Sequence, residues 1–229
     1  MNFDFGLIAS SVPKIALGAG LTLQLLLISL VLGTLIGVGV VLMRISGNWL
    51  LAWPAFGYTY VLRGTPMLVQ VFLIYYGLSQ FEAVRNGPLW PILREPYWCA
   101  IIALSLNCGA YTAEILRGGI QGVDGGLHEA GRALGLSPSQ RFIHVTAPIA
   151  VRLALPAYGN EIISLLKGTA LVSMITMSDI TGVARNIVAK TFAPYEIFIA
   201  AAIVYLSITW VIQLGLRAAE HRFSRYIKK

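Results

Sequence analysis

Long apolar runs set the pattern of this chain, and five approach the roughly 20 residues that carry a helix across a bilayer. They cover about 18–42, 56–81, 97–116, 153–175 and 195–216. The core of the second is residues 65–81. Extending it back toward Phe56 leaves Arg63 near an interface. The pattern therefore predicts an all-α integral membrane protein with about five transmembrane helices. No internal repeat and no linker divides it, so residues 1–229 read as one transmembrane domain.

The third and fourth spans are separated by a polar stretch, 117–152, that is too well built for a spacer. Ser137 is placed to N-cap a helix with Pro138 first and Gln140 third, which is a capping box. Gly135 permits a sharp bend after a preceding turn over Glu129 to Leu134. A bent pair of short helices is expected to project on one side of the membrane as a docking device.

Composition agrees with the membrane reading. Apolar residues make up 57% and charged residues 12% of the chain, about half the roughly 25% charge of soluble domains. The net charge of +7 is scattered between spans, not clustered as nucleic-acid binding requires. Eleven Lys and Arg would lie on one side: Arg44, Arg63, Arg117, Arg132, Arg141, Arg152, Arg217, Arg222, Arg225, Lys228 and Lys229. Lys14, Arg85, Arg94, Arg185 and Lys190 would lie on the other, with Lys167 inside the fourth span. The positive-inside rule then makes the 117–152 loop and the C-terminus cytoplasmic and the N-terminus external. No short cleavable signal is expected, because residues 1–12 carry Asp4 and no basic residue.

The loop resembles a known signature. Inner-membrane subunits of bacterial ABC importers carry E-A-A, three residues, G, nine residues and then I-x-L-P. Glu129-Ala130-Gly131, Gly135 and Val145-Thr146-Ala147-Pro148 fall at that spacing, with Gly for the second Ala and Val and Ala for Ile and Leu. Arg63-Gly64-Thr65-Pro66, Ala110-Tyr111-Thr112-Ala113-Glu114-Ile115, Asn160-Glu161, Lys167 and Thr169-Ala170-Leu171 resemble the polar amino acid branch. Within it the likeness is to permeases for histidine, lysine, arginine and ornithine, and to opine permeases.

The resemblance implies a multi-pass permease of the bacterial inner membrane, with the methionine-permease-like fold of type I ABC importers. Its cytoplasmic coupling helix would use Glu129, Ala130, Gly131, Arg132, Gly135 and Ser137. Glu129 and Arg132, three apart, can pair with each other or with an ATPase, and Gly131 and Gly135 let another backbone approach. The implied partners are two copies of an ATP-binding subunit, a second homologous permease giving a heterodimer, and a periplasmic substrate-binding protein. ATP and Mg would bind the ATPase, since this chain has no G-x-x-x-x-G-K-[ST] loop. Cofactors, metals and catalysis are not expected of it.

Polar side chains within spans are costly and mark candidate sites. Asn107, Tyr111 and Glu114 recur at i, i+4 and i+7 on one stripe of the third span. In the fourth, Asn160 and Lys167 share a face with Ser164 between them, and Glu161 lies one residue round. Glu161 is the natural counter-ion for a cationic side chain or an ammonium. Asn107, Tyr111 and Asn160 can hydrogen-bond a zwitterion, and Lys167 or a helix end can receive its carboxylate. In relatives for uncharged amino acids an apolar or amide residue is usual beside this Asn, so Glu161 points to a basic substrate. Blander roles stay open: Glu114 as an i, i+3 partner of Arg117, Lys167 snorkelling, Asn107 and Tyr111 as glue between spans. Arg63 and Pro66 read as shaping a helix entry.

Other features are quieter. Trp49, Trp53, Trp90 and Trp98 suit an interfacial belt. Cys99 and Cys108 read as small buried side chains. An ion-coupled carrier with Glu161 and Glu114 carrying protons, or a membrane scaffold, are the competing classes, and five spans without an inverted repeat argue against the first.

Overall fold

The computed structural model describes residues 4–224, all helix, turn or bend. Arg225, Lys228 and Lys229, counted above with the basic side, lie outside the described residues. The chain opens with a helix the hydrophobic pattern missed, α1 (Phe5–Ala16), N-capped by Asp4. Next come α2 (Ala19–Ile45) and α3 (Trp49–Gly64), the latter capped by Asn48. α4 (Met67–Phe72) continues through a π turn and a 3-10 turn to Gln80. Two single turns, α5 (Glu82–Arg85) and α6 (Trp90–Leu93), lead to α7 (Pro96–Gln121). The polar loop holds α8 (Gly125–Ala133) and α9 (Pro138–Arg141). A π turn joins α9 to α10 (Ala147–Thr169), and a 3-10 segment carries it on to Ile175. α11 (Ile180–Thr191) and α12 (Pro194–Ser224) close the described chain.

Among the described residues, four stretches are long and apolar enough to cross a membrane: Ala19–Ile45, Pro96–Gln121, Pro138–Ile175 and Pro194–Arg222. The second predicted span, 56–81, is not one rod. The helix starts earlier, at Trp49, breaks at Gly64, and resumes at Met67 at 107° to its former course. Thr65 is extended, with φ −114° and ψ 144°. Steric conflict with the Pro66 ring keeps it out of the helical region. Hydropathy over 56–81 is blind to such a break, because the composition on its two sides is equally oily. The polar loop is also shorter than 117–152, since α7 runs to Gln121 and the next long helix already begins at Pro138.

The core is a tight packing of α2, α7 and α10, with α4 crossing α7. Lipid tails offer helices no hydrophobic reason to associate, so close backbone approach and hydrogen bonds must hold them. Gly33 and Gly37, a G-x-x-x-G pair, supply the approach on α2. A Cβ at Gly33 would lie 2.7 Å from that of Cys108, and one at Gly37 2.7 Å from that of Thr112. Gly119 on α7 sits directly against the Ala150 carbonyl of α10. The Thr34 and Tyr158 hydroxyls bond α2 to α10, and the Tyr58 hydroxyl donates to the Leu106 carbonyl to bond α3 to α7. Cys99 and Cys108 are free and buried. Leu27, Leu35, Leu206, Trp210 and Val211 face outward, as lipid-facing surface should.

A second cluster, Ile15, Ile180, Ala184, Ile197 and Ala200, packs α1 and α11 onto α12. It lies at the bundle end away from α8. Asp179 caps α11 there, accepting from the Thr181 and Gly182 N–H groups and the Tyr205 hydroxyl.

Valine at Gly33 or Gly37 is expected to destabilise the protein by about 1–3 kcal/mol, the usual cost of overpacking. Gly39→Ala is the control, since nothing lies within 4 Å of a Cβ there. Thermal unfolding in detergent should separate the two classes of variant.

Candidate functional site

The broken helix creates the polar centre of the molecule. The last carbonyls of α3 lose their partners at the break, and membrane interiors provide no water to replace them. Thr65 answers one, donating its hydroxyl to the Val61 carbonyl at 2.8 Å. Gln70, one turn into α4, answers others: its amide donates to the Leu62 carbonyl at 2.7 Å and the Thr65 carbonyl at 3.1 Å. The same amide nitrogen lies 2.8 Å from the Thr65 hydroxyl. Asn107 of α7 donates to the Gln70 side-chain oxygen at 3.0 Å and, at 3.4 Å, to the Leu62 carbonyl. Asn107, expected to face substrate, thus spends its donors on the break. Gln70 was not singled out in the sequence, although a Gln just after Thr65-Pro66 in an apolar run was a legible signal.

Arg63 stands in the last turn of α3, just before the break. Its guanidinium carbon lies 5.3 Å from the centre of the Tyr111 ring. It also stands 3.8 Å from Glu114. Tyr111 and Glu114 are therefore together, as their spacing on α7 required.

Glu114 is the hub of an ion cluster, and the i, i+3 pairing with Arg117 is present. Arg117 reaches it from Nε at 2.8 Å and from NH2 at 2.7 Å. Arg44 at the end of α2 lies 3.5 Å away, and the Thr59 hydroxyl donates to it at 3.3 Å. Its carboxylate is already engaged by α2, α3 and α7.

Glu161 differs. It is 8% exposed on α10. Among the described residues, nothing meets its carboxyl within 3.5 Å as a hydrogen bond or 4.0 Å as an ion pair.

Asn160 and Lys167 do not join this centre. Both are exposed, on the other side of α10. Asn160 lines a groove with Gln213, Arg217 and Glu220, and Lys167 an adjoining one with Tyr205, Thr209 and Gln213. Neighbours on a helix stand about 100° apart, which is enough to put Glu161 and Asn160 on different surfaces.

The polar loop is as its sequence spelled it. α8 ends in a Schellman motif: Gly135 N–H bonds to the Arg132 carbonyl at 2.9 Å and Leu136 N–H to the Gly131 carbonyl at 3.0 Å. Gly135 takes φ +73°, which glycine adopts without strain. The capping box is complete, with Gln140 N–H on the Ser137 hydroxyl and Ser137 N–H on the Gln140 side chain. Gly131 is buried against the stem of Arg141, where a Cβ would be 3.0 Å from its Cγ. What approaches Gly131 is thus a side chain rather than another backbone, and nothing lies within 4 Å of a Cβ at Gly135. Glu129, Ala130 and Arg132 stay exposed on α8, and Glu129 and Arg132 form no ion pair.

A bundle with a broken span, a buried polar centre and a projecting capped helix pair has the build of a transport subunit. Residues 29–225 match the binding-protein-dependent transport system inner membrane component family. The chain belongs to that family. The nopaline transport system permease protein NocM of Agrobacterium fabrum is 48% identical, over 95% of this chain and 90% of its own. The octopine permease OccM of Rhizobium meliloti is 46% identical, over 92% and 86%. The histidine/lysine/arginine/ornithine permease HisM of Escherichia coli K12 is 38% identical, over 92% and 89%. Among solved structures, an amino acid ABC transporter with histidines superimposes with TM-score 0.86 at 36% identity, covering 97% of this chain and all of that one. The inward-facing MetNI methionine transporter matches in fold, with TM-score 0.69 at 16% identity over 96% and 98% of the two chains. The protein is a multi-pass inner-membrane ABC importer permease of the polar amino acid and opine type, with the type I fold.

Replacing Gln70 with Leu leaves the Leu62 and Thr65 carbonyls short of donors and should cost about 1–3 kcal/mol. Asn107→Leu should cost less, and the pair should be non-additive, because the two amides bond to each other. A double-mutant cycle on thermal unfolding in detergent measures both effects.

Proposed function

We propose that this permease passes a solute with a cationic side chain, a basic amino acid or an opine built on one, and that Glu161 is the counter-ion. The observation that carries the reading is a buried mid-span carboxyl with no hydrogen-bond or ion-pair partner among the described residues. An isolated charge in low dielectric is heavily penalised, so a guest cation is its natural complement. Arginine, octopine and nopaline all contain a guanidinium, so the opine and basic amino acid readings ask the same of Glu161. The nopaline, octopine and histidine/lysine/arginine/ornithine systems of the relatives fit both.

The subunit would work in an assembly with a second, homologous permease, two ATP-hydrolysing subunits on the α8 side and a substrate-binding protein on the far side. ATP and Mg would be held by those ATPases, and this chain would be a conduit. The order of apolar runs in the sequence assigns eleven of the seventeen Lys and Arg to the loop side, which supports a cytoplasmic loop and C-terminus and a periplasmic N-terminus. Glu129, Ala130 and Arg132, exposed on α8, would be read by the ATPase, with Gly131, Gly135 and Ser137 fixing the shape that presents them. Asn160 and Lys167 belong in this proposal to the α10–α12 surface of the pathway, apart from the Glu161 centre.

Glu161→Gln in the assembled transporter is expected to raise KM for arginine uptake at least tenfold while a neutral substrate is unaffected. Equal loss for neutral and cationic solutes, or no change, overturns the reading. Gly135→Val, which forces a β-branched residue to φ +73°, should leave the permease extractable but cut co-purification of the ATPase and the ATPase response to loaded binding protein. An intact response would remove the loop from the coupling path.

A further inference from the structure

Arg63 is the surplus cation of the polar centre. Three arginines, Arg44, Arg63 and Arg117, gather at one acid, Glu114, and Glu161 on α10 is the second acid within the bundle. Arg117 grips Glu114 through two nitrogens at 2.7 and 2.8 Å. Arg44 lies 3.5 Å from Glu114, with its other contact over the Phe56 ring at 4.9 Å and its side chain 18% exposed. Arg63 is held far more loosely. Its nearest carboxylate oxygen is at 3.8 Å on an acid already engaged, and its side chain is 43% exposed.

What does position Arg63 is not a bond to its guanidinium. Its backbone is fixed by the Gln70 and Asn107 amides at the neighbouring Leu62 carbonyl, and it ends α3, where the helix dipole favours a cation. The Tyr111 ring lies against the guanidinium. Stacking on a ring occupies a face of the group and leaves its in-plane N–H fork available, the part that matches a carboxylate. Glu161, on α10, is the acid of the bundle without a close partner among the described residues.

We infer that Arg63 receives the carboxylate of the transported solute, while Glu161 takes its cationic side chain. The inference rests on the reading of Glu161 above and deepens it: the site requires an amino acid carboxylate and a cation in one molecule. A carboxylate arriving at Arg63 offsets the one positive charge in excess, so the polar centre is better balanced with the solute than without it. Lys167, the lysine the sequence offered for this task, lines a separate groove.

The test is direct binding of arginine and of agmatine, its decarboxylated counterpart, to the purified permease–ATPase assembly without binding protein. Wild type should prefer arginine. Arg63→Gln should weaken arginine at least tenfold and leave agmatine within twofold, abolishing the preference. Arg63→Lys should restore part of it, since a point charge replaces the fork. Equal weakening of both probes by Arg63→Gln, or of neither, overturns the inference. Glu161→Gln serves as the second arm and should weaken both probes alike, because both carry the guanidinium. If that arm holds while Arg63→Gln fails to discriminate, only the Arg63 assignment falls. If Glu161→Gln weakens neither probe, the cationic-solute reading falls with it.

Discussion

Carbonyl groups stripped of their helix partners inside a membrane must find donors, and this requirement organises the centre of the protein. The break at Gly64–Pro66 releases the end of α3, and Thr65, Gln70 and Asn107 answer it from three directions. Because Gln70 sits on α4 and Asn107 on α7, satisfying those carbonyls also fixes the 107° turn and ties it to the core. Arg63 is thereby delivered beside Tyr111 and Glu114. Remove the amides and the helix end, the crossing of α4 and the address of the arginine all lose their common support.

The ionisable groups then divide by how completely they are answered. Glu114 gathers side chains from α2, α3 and α7, and so acts as a clamp among three helices. Glu161 on α10 has no comparable claim on it. A membrane protein keeps a charge at such a position only against a considerable penalty, and the contrast between two glutamates in one bundle is sharper in their partners than in their sequence contexts.

Much of this was legible in the chain. Apolar runs located the spans, and the chemistry of Gly135, Ser137 and Gln140 spelled out the Schellman turn and capping box, because those motifs are made by neighbours in sequence. The failures share the opposite property. A hydropathy window over 56–81 sums composition and carries no direction, so the break passed as a continuous span although Thr65-Pro66 marked it. That Asn107 braces the break was not legible, because its partners, Leu62 and Gln70, lie 45 and 37 residues away. Asn160 and Glu161, adjacent in sequence, turned out to serve different surfaces, and α1 and α11 were too short to register as spans.

The continuous helical run from Pro138 to Ile175, its π turn and 3-10 end included, has the proportions of a lever. Its 38 residues make a shaft about 57 Å long at 1.5 Å per residue, beginning at the capped end of the loop. Pivoted near Ile175, a tilt of about 5° sweeps the Pro138 end through about 5 Å and Glu161 through about 2 Å. A rigid shaft of this length would be a reducing gear: a broad stroke at its outer end would arrive at the carboxyl as a small displacement of greater force. A shift of that size is enough to make or break a charge-assisted hydrogen bond, whose working range is narrower than 1 Å.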